Sequence, residues 1–416
     1  MSNKKKTYLL TQEWVSEGHP DKVADQISDT ILDEYLKKDS NAKVACETFV
    51  MGNLCIIGGE ITSKEKNIDI EGIVRNKINS IGYNRDELGF NGDNVEILNK
   101  IVEQSPEINK MVDKGELGSG DQGFMLGFAS SETPDYLQLP YYLARKFGEQ
   151  LKKSDLHYLR PDAKTQATIE YDENDKPVRI HTILVSTSHN PSVDRDTLVN
   201  DFFDKIVHKV LPTLPQHIRD LVDLKTLYKI NPNGSFVQCG PAGDTGLTGR
   251  KIVVDHGYYT VGGGAFSGKD YSKVDRSGAY YSRYIAKNMV ASGIADEVLI
   301  QVAYIIGDTD ATSVSVKTKN NHTLLSDIEI GEKINSLFSF KPKDIVETLK
   351  LKNPIYEVTA SNGHFGRESY INSNGIEYFT WEKLDIVDKL KEAFKDDFIG
   401  LEVSIDSIEL SIDNPF

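Results

Sequence analysis

Apolar residues recur along the chain at two spacings that alternate from segment to segment. Spacing of three and four predicts helices over 21–37, 70–81, 94–104, 138–152, 196–210, 276–292 and 383–395. In the first, Val23, Ile27, Ile31 and Tyr35 share a face, and Pro20 stands where a helix tolerates it best. Period two with β-branched enrichment predicts strands over 43–50 and 54–62, joined at Gly52-Asn53, and over 251–255, 298–306 and 312–318. Residues 165–187 read as a hairpin turning through Asp172 to Pro177. No internal repeat or low-complexity linker interrupts the pattern, so the class is α+β or mixed α/β with several sheets.

At 416 residues the chain has length for two to four domains, three being the middle expectation. A net charge of -15 argues against nucleic acid as a partner, because backbone binding needs a broad basic field. Cys46, Cys55 and Cys239 are too few and scattered for a disulfide framework or a zinc site. The opening MSNKKKTYLL is no secretory signal, and no apolar run reaches membrane length. A cytoplasmic protein without a membrane partner is the simplest expectation.

Against this acidic background one stretch is cationic. GGGAFSGKDYSKVDRSGAYYSRYIAKNM, residues 262–289, holds Lys269, Lys273, Arg276, Arg283 and Lys287 against Asp270 and Asp275, which suits a compact polyanion. Three further segments combine polar groups with glycine or proline. SEGHPDKVADQ (16–26) places His19 and Asp21 at a helix start, with Asp21 and Asp25 four apart on one face. RPDAKTQ (160–166) alternates Arg160, Asp162 and Lys164, which a strand would put on one face. CGPAGDTGLTGRK (239–251) carries Asp244 and ends in Arg250-Lys251 entering a strand. Two motifs fail on context: GSGDQG (118–123) precedes the strand-like FMLGFA rather than a helix, and Gly263–Lys269 is followed by Asp270 where a P-loop needs Ser or Thr. Cations at Lys164, Arg250, Lys251, Lys269 and Lys273 with carboxylates at Asp21, Asp121, Asp162, Asp244 and Asp275 suit a magnesium-dependent nucleotide site, without fixing its reaction.

SEGHPDK, VACETFV, GGEIT, GDQG, RPDAK, GDTGLTGRK, GGGAFSGKDYSKVDRS and GHFGRE stand in the order that resembles the S-adenosylmethionine synthetases, from about residue 8 to Trp381. The resemblance implies an α+β fold of three similar α/β domains around a pseudo-threefold axis: 1–110, 111–240 and 241–385, with 386–416 as a C-terminal extension. It implies a homodimer with active sites shared between subunits, and a tetramer as a further assembly. The implied reaction joins ATP and L-methionine, then splits the tripolyphosphate into pyrophosphate and phosphate, with two Mg2+ per site and K+. By resemblance His19, Lys164, Arg250 and Lys269 are catalytic. His19, Asp121, Asp162, Lys164, Ser235, Phe236, Asp244, Arg250, Lys251, Ala265 and Lys269 bind ATP, with Phe236 stacking on adenine. Glu60, Gln104, Asp244 and Lys273 hold methionine, Asp21 and Asp275 hold magnesium, and Glu47 holds potassium. Residues 105–117 correspond to a mobile lid. Ser119, Ser188, Ser235 and Thr260-Val261 depart from the family pattern, while the carried-over cations and magnesium ligands are kept. A different Mg-dependent phosphotransferase, which would yield ADP, and a non-catalytic ATP-binding assembly subunit are the competing readings.

Overall fold

The structure, a computed structural model, describes residues 6–103, 117–258 and 260–399. In chain order its first elements are β1 (Thr7–Val15), α1 (Pro20–Lys38), β2 (Lys43–Met51), β3 (Leu54–Thr62), α2 (Ile70–Ile81), β4 (Glu96–Val102) and β5 (Gly123–Ser130). There follow α3 (Leu139–Lys153), β6 (Leu159–Asp172), β7 (Pro177–His189), α4 (Arg195–Asp201), β8 (Leu227–Ile230), β9 (Gly246–Leu247) and α5 (Ile252–His256). The last third holds α6 (Val274–Ala291), β10 (Ala295–Tyr304), β11 (Ser313–Asn321), α7 (Asp327–Leu337), α8 (Pro342–Thr348), β12 (Tyr370–Ile371), β13 (Glu377–Tyr378) and α9 (Val387–Ala393).

Three sheets each carry helices on one face. The first runs β1-β6-β7-β8, the second β4-β3-β2-β9 and the third β11-β10-β5. Helix α3 packs on β1 and β6, α1 on β2, and α6 on β5 and β10. Burying the apolar faces of sheet and helix together is what makes each layer pair stable. Trp14, Phe147, Ile169 and Phe202 belong to one core under the first sheet, while a second, continuous core runs beneath the other two. The chain does not fill the sheets in sequence order. β1 pairs with β6, β5 with β10, and β9 reaches back to β2.

The structure differs from the sequence pattern at two elements that bear on the site. The helix expected over 94–104 is strand β4, paired parallel with β3 from Leu54↔Glu96 to Glu60↔Val102. Val95, Leu98 and Val102 have helical spacing, but an open sheet edge outweighs it. The strand expected over 251–255 is the short helix α5, closed by Gly257 at φ 64, so Arg250-Lys251 enter a helix. The helix expected over 196–210 forms with a wider turn at Phe202–Val207, and that expected over 383–395 shortens to Val387–Ala393. Up to Ile399 the C-terminal extension packs on α6 and on the segment that follows β11. Phe398 bridges Thr323, Leu324 N donates to Asp397 O at 2.8 Å, and Phe394 is fully buried. The strand pair expected further on lies outside the described residues, as does nearly all of the expected lid.

Candidate active site

Helix α1 organises the site. His19 caps it by accepting from Asp21 N at 3.2 Å, Pro20 starts it, and Asp21 in the first turn with Lys37 and Lys38 in the last suits its dipole. Every fourth residue is then acidic, and Asp21, Asp25, Asp29 and Asp33 are all buried. Each carboxylate accepts from backbone N–H groups far away in sequence: Leu247 at 3.0 Å, Gly249 at 2.8 Å, Gly268 at 2.7 Å and Glu357 at 2.8 Å. One helix face therefore fixes the loops that carry Arg250, Lys251 and Lys269. The shared face read from Asp21 and Asp25 extends over three turns.

At the N-terminal end of α1, Asp21 Oδ2 lies 2.6 Å from Lys251 Nζ and Asp21 Oδ1 lies 3.6 Å from Arg250 NH1. Beside them His19, Asp162, Lys164, Phe236 and Asp244 line a cavity of about 190 Å³. Burial, with Lys251 adding to it, pushes the His19 imidazole down to about 3, against the opposing pull of Asp21. The ring is therefore neutral, so its 3.9 Å approach to Asp21 Oδ2 is not an ion pair. Because Nδ1 accepts from Asp21 N, the proton is assigned to Nε2. Burial raises Asp162 to about 6, offset in part by the hydrogen bond from Gly240 N at 2.9 Å.

Arg160 does not share the face of Asp162 and Lys164. A register shift between Leu159 and Ala163 turns it away, and it lines a separate cavity and donates to Val237 O at 2.6 Å. Sequence reasoning missed Ser186, Gln238 and Cys239 as cavity neighbours. Nothing in the sequence marks Ser186, whereas Gln238 and Cys239 adjoin or open the glycine-rich stretch. Ser188 explains itself in the structure, for its Oγ donates to Asp162 O at 2.7 Å and steadies the strand that carries Asp162. Ser235 is exposed next to Phe236, whose N–H points to His189 Nε2 at 3.2 Å.

A second cluster lies further along α1. Lys269 Nζ pairs with Asp275, and Lys273 Nζ lies 2.8 Å from Asp270 Oδ2. Gly268 has φ +79, and a Cβ there would come 1.8 Å from Cys46 O, so only glycine brings the next residue onto the sheet. On that sheet Ala45 faces Glu60 on one side and Lys269 on the other, and Glu47 is exposed two residues on. Gly120 N donates to Ser272 O at 3.1 Å, which brings Asp121 into the same neighbourhood, and buried Ser119 donates to Asp121 O. Ala265 packs on Gly249, linking the cationic stretch to the loop of Arg250. Asp21 and Asp29 are two turns apart, so the clusters are separated along α1 by about 12 Å. Gln104 lies outside the described residues.

Only two of the five cations in the 262–289 stretch face such a site. Arg276 forks onto buried Asp29 at 2.7 and 2.8 Å, while Arg283 and Lys287 both bind buried Glu382. Helix α6 is interior, so these three serve the fold rather than an anion. Asp21 and Asp275 each offer a carboxylate beside a lysine, and among the described residues no three His, Cys, Asp or Glu side chains converge on one point. That donor set fits a hard cation such as magnesium, which takes one or two carboxylates and completes its shell with phosphate oxygens and water.

Three family models tile the chain: the S-adenosylmethionine synthetase N-terminal domain over 7–106, its central domain over 116–236 and its C-terminal domain over 238–383. The chain belongs to the S-adenosylmethionine synthetase family. It is 46% identical over 426 residues to the S-adenosylmethionine synthase of Porphyromonas gingivalis, covering 93% of this chain and 99% of that protein. It is 46% identical to the S-adenosylmethionine synthase of Christiangramia forsetii and 47% identical to that of Phocaeicola vulgatus, with the same coverage. Both clusters fall on residues that the synthetase models match. Among the described residues no helix is long and apolar enough to cross a membrane.

Proposed function

We propose that this chain is a methionine adenosyltransferase that converts ATP, L-methionine and water into S-adenosylmethionine, pyrophosphate and phosphate. The methionine sulfur gives an electron pair to C5′ of ATP, the C5′–O bond breaks, and its pair stays on the triphosphate. Charge then grows on one bridging oxygen, and a preorganised donor there lowers the barrier. The carrying observation is a buried, neutral His19 whose Nε2–H is free to donate, in a cavity shared with Lys164 and edged by Arg250 and Lys251. Phe236, Asp162 and Asp244 suit the nucleoside, and Asp244 would also meet methionine, whose other contacts would be Glu60 and Lys273 on the second cluster, with Gln104.

Asp21 and Asp275 would hold magnesium, which neutralises phosphate charge when bound, and Glu47 would hold potassium. Lys269, Asp121 and Ala265 would meet the phosphates from the second cluster. Two copies of the chain would complete each site, one supplying the His19 cluster and the other the Lys269 cluster. Large apolar residues exposed on all three sheets support such a homodimer, among them Leu9, Met51, Val102 and Phe124. The domain limits would follow the sheets' helices at 1–110, 111–240 and 241–385, in a cytoplasmic enzyme. Mass spectrometry of a reaction with ATP, methionine, magnesium and potassium tests the activity. S-adenosylmethionine with pyrophosphate and phosphate supports it, and ADP refutes it.

A further inference from the structure

Behind the mouth of the His19 cavity lies a charged group that touches neither the cavity nor solvent. Lys22 Nζ lies 2.6 Å from Asp255 Oδ1 and 2.9 Å from Asp25 Oδ2, and the three residues are 0 to 1% exposed. Removing three charges from water is expensive, and well-packed apolar residues of similar volume commonly serve stability as well or better. The fold alone therefore gives no reason for the cluster. Its position gives one.

Lys22 follows Asp21 directly in α1. Asp25, on the next turn, accepts from Gly249 N at 2.8 Å. Asp255 lies one turn into α5, where its N–H donates to Lys251 O at 2.9 Å. The single ammonium thus ties α1 to both sides of the Arg250-Lys251 pair. Close behind, neutral His364 places Nε2 3.6 Å from Asp255 and bonds Tyr280 OH through Nδ1 at 2.6 Å. Tyr280 in turn accepts from Arg276, which holds Asp29 and Lys269 O.

We propose that Lys22, with Asp25 and Asp255, is a positioning unit that locks the Gly246–Lys251 loop against α1 and so aims Arg250 and Lys251 at the triphosphate. This rests on the reading of the mouth as the triphosphate site. Releasing the lock lets the two cations drift from the His19–Asp21 turn, and a misplacement near 1 Å costs about 100-fold in rate. Because the same cations serve the triphosphate before and after adenosyl transfer, both steps depend on the lock.

The deciding variant is Lys22→Met/Asp255→Asn, which removes one charge of each sign and leaves the net charge of the cluster unchanged. Wild type is assayed first, and failure to form S-adenosylmethionine there refutes the proposed activity itself. With an active wild type, the double variant is expected to melt within a few degrees of it. Its kcat for adenosyl transfer and for hydrolysis of added tripolyphosphate falls about 100-fold in parallel. KM for methionine, whose contacts at Glu60 and Lys273 in the second cluster are untouched, changes less than about twofold. A folded double variant with wild-type kcat in both assays overturns the proposal, as does a loss confined to melting temperature. If the double variant does not fold, Asp255→Asn decides: it keeps the Lys22–Asp25 contact, a parallel loss of about tenfold supports the lock, and unchanged rates overturn it.

Discussion

Lys251 Nζ lies 2.6 Å from Asp21 Oδ2, so a cation proposed to meet phosphate rests on a carboxylate proposed to hold magnesium. Asp21 Oδ1 is also engaged, by Leu247 N at 3.0 Å. On these proposed assignments metal and lysine would compete until a polyphosphate drew the ammonium away. Calorimetric titration with magnesium alone should therefore show weak binding, and added tripolyphosphate should tighten it at least about tenfold. Equal affinity with and without tripolyphosphate would remove Asp21 from the metal's ligands.

The role proposed for neutral His19 separates the two chemical steps. His19→Asn keeps a short polar side chain but moves the donor, so adenosyl transfer should fall about 100-fold. Hydrolysis of added tripolyphosphate builds no charge on the oxygen bound to C5′ and should fall far less. Since the imidazole is held down at about 3, no limb near 6.5 belongs to it in the pH profile of kcat. Equal losses in both steps would refute the role.

Asp162 carries a cost of the opposite kind. Its folded value, raised to about 6 from 3.8, means that the native state binds more protons than the unfolded chain between those values. Stability contributed by protonated Asp162 is present below 3.8, is lost as pH rises to about 6, and stays lost at 7. Asp162→Asn should thus raise the melting temperature at neutral pH, by up to about 3 kcal/mol of stability, while weakening ATP binding. Matching melts at pH 4 and pH 7 for both proteins would contradict the shift.

Glu382 marks the structural cations. It receives Arg283 at 3.1 Å, Lys287 at 2.8 Å and Gly366 N at 2.8 Å in a fully buried setting. Glu382→Leu leaves two cations without their anion and should cost about 3–5 kcal/mol, read from denaturant unfolding. A loss below 1 kcal/mol would show that water reaches the cluster.

Sharing of sites between copies has a numerical signature. Inactive His19→Asn and inactive Lys269→Met chains, mixed and reassembled, should form heterodimers with one intact site. Random pairing then restores about a quarter of wild-type activity. No recovery would place both clusters of one chain in the same site.

Much of this was legible in the residues, and the exceptions have physical causes. The spacing of Val23, Ile27, Ile31 and Tyr35 located α1, and the motifs around His19 and Lys269 located both clusters. Val95, Leu98 and Val102 misled because strand pairing with β3 is a tertiary event that local spacing does not carry. The β-branched run Ile252-Val253-Val254 became a helix because Asp255 and Lys251 are held against α1 and Gly257 ends the turn. Charge counting overstated the cationic stretch, since the partners of Arg276, Arg283 and Lys287 sit at Asp29 and Glu382, remote in sequence. Likewise the alternation of Arg160, Asp162 and Lys164 gave no warning of a bulge.

The acidic ladder of α1 also governs how the chain acquires its shape. Its four carboxylates find their partners at residues 247, 249, 268 and 357, and β1 finds its partner at 164–172. A ribosome therefore releases this helix long before the groups that satisfy it exist. The three stretches matched by separate family models exchange strands across their limits, β1 pairing with β6 and β5 with β10. A fragment ending near residue 240 would carry α1 with its acids unanswered, and the whole chain must wait for its last third before its first can settle.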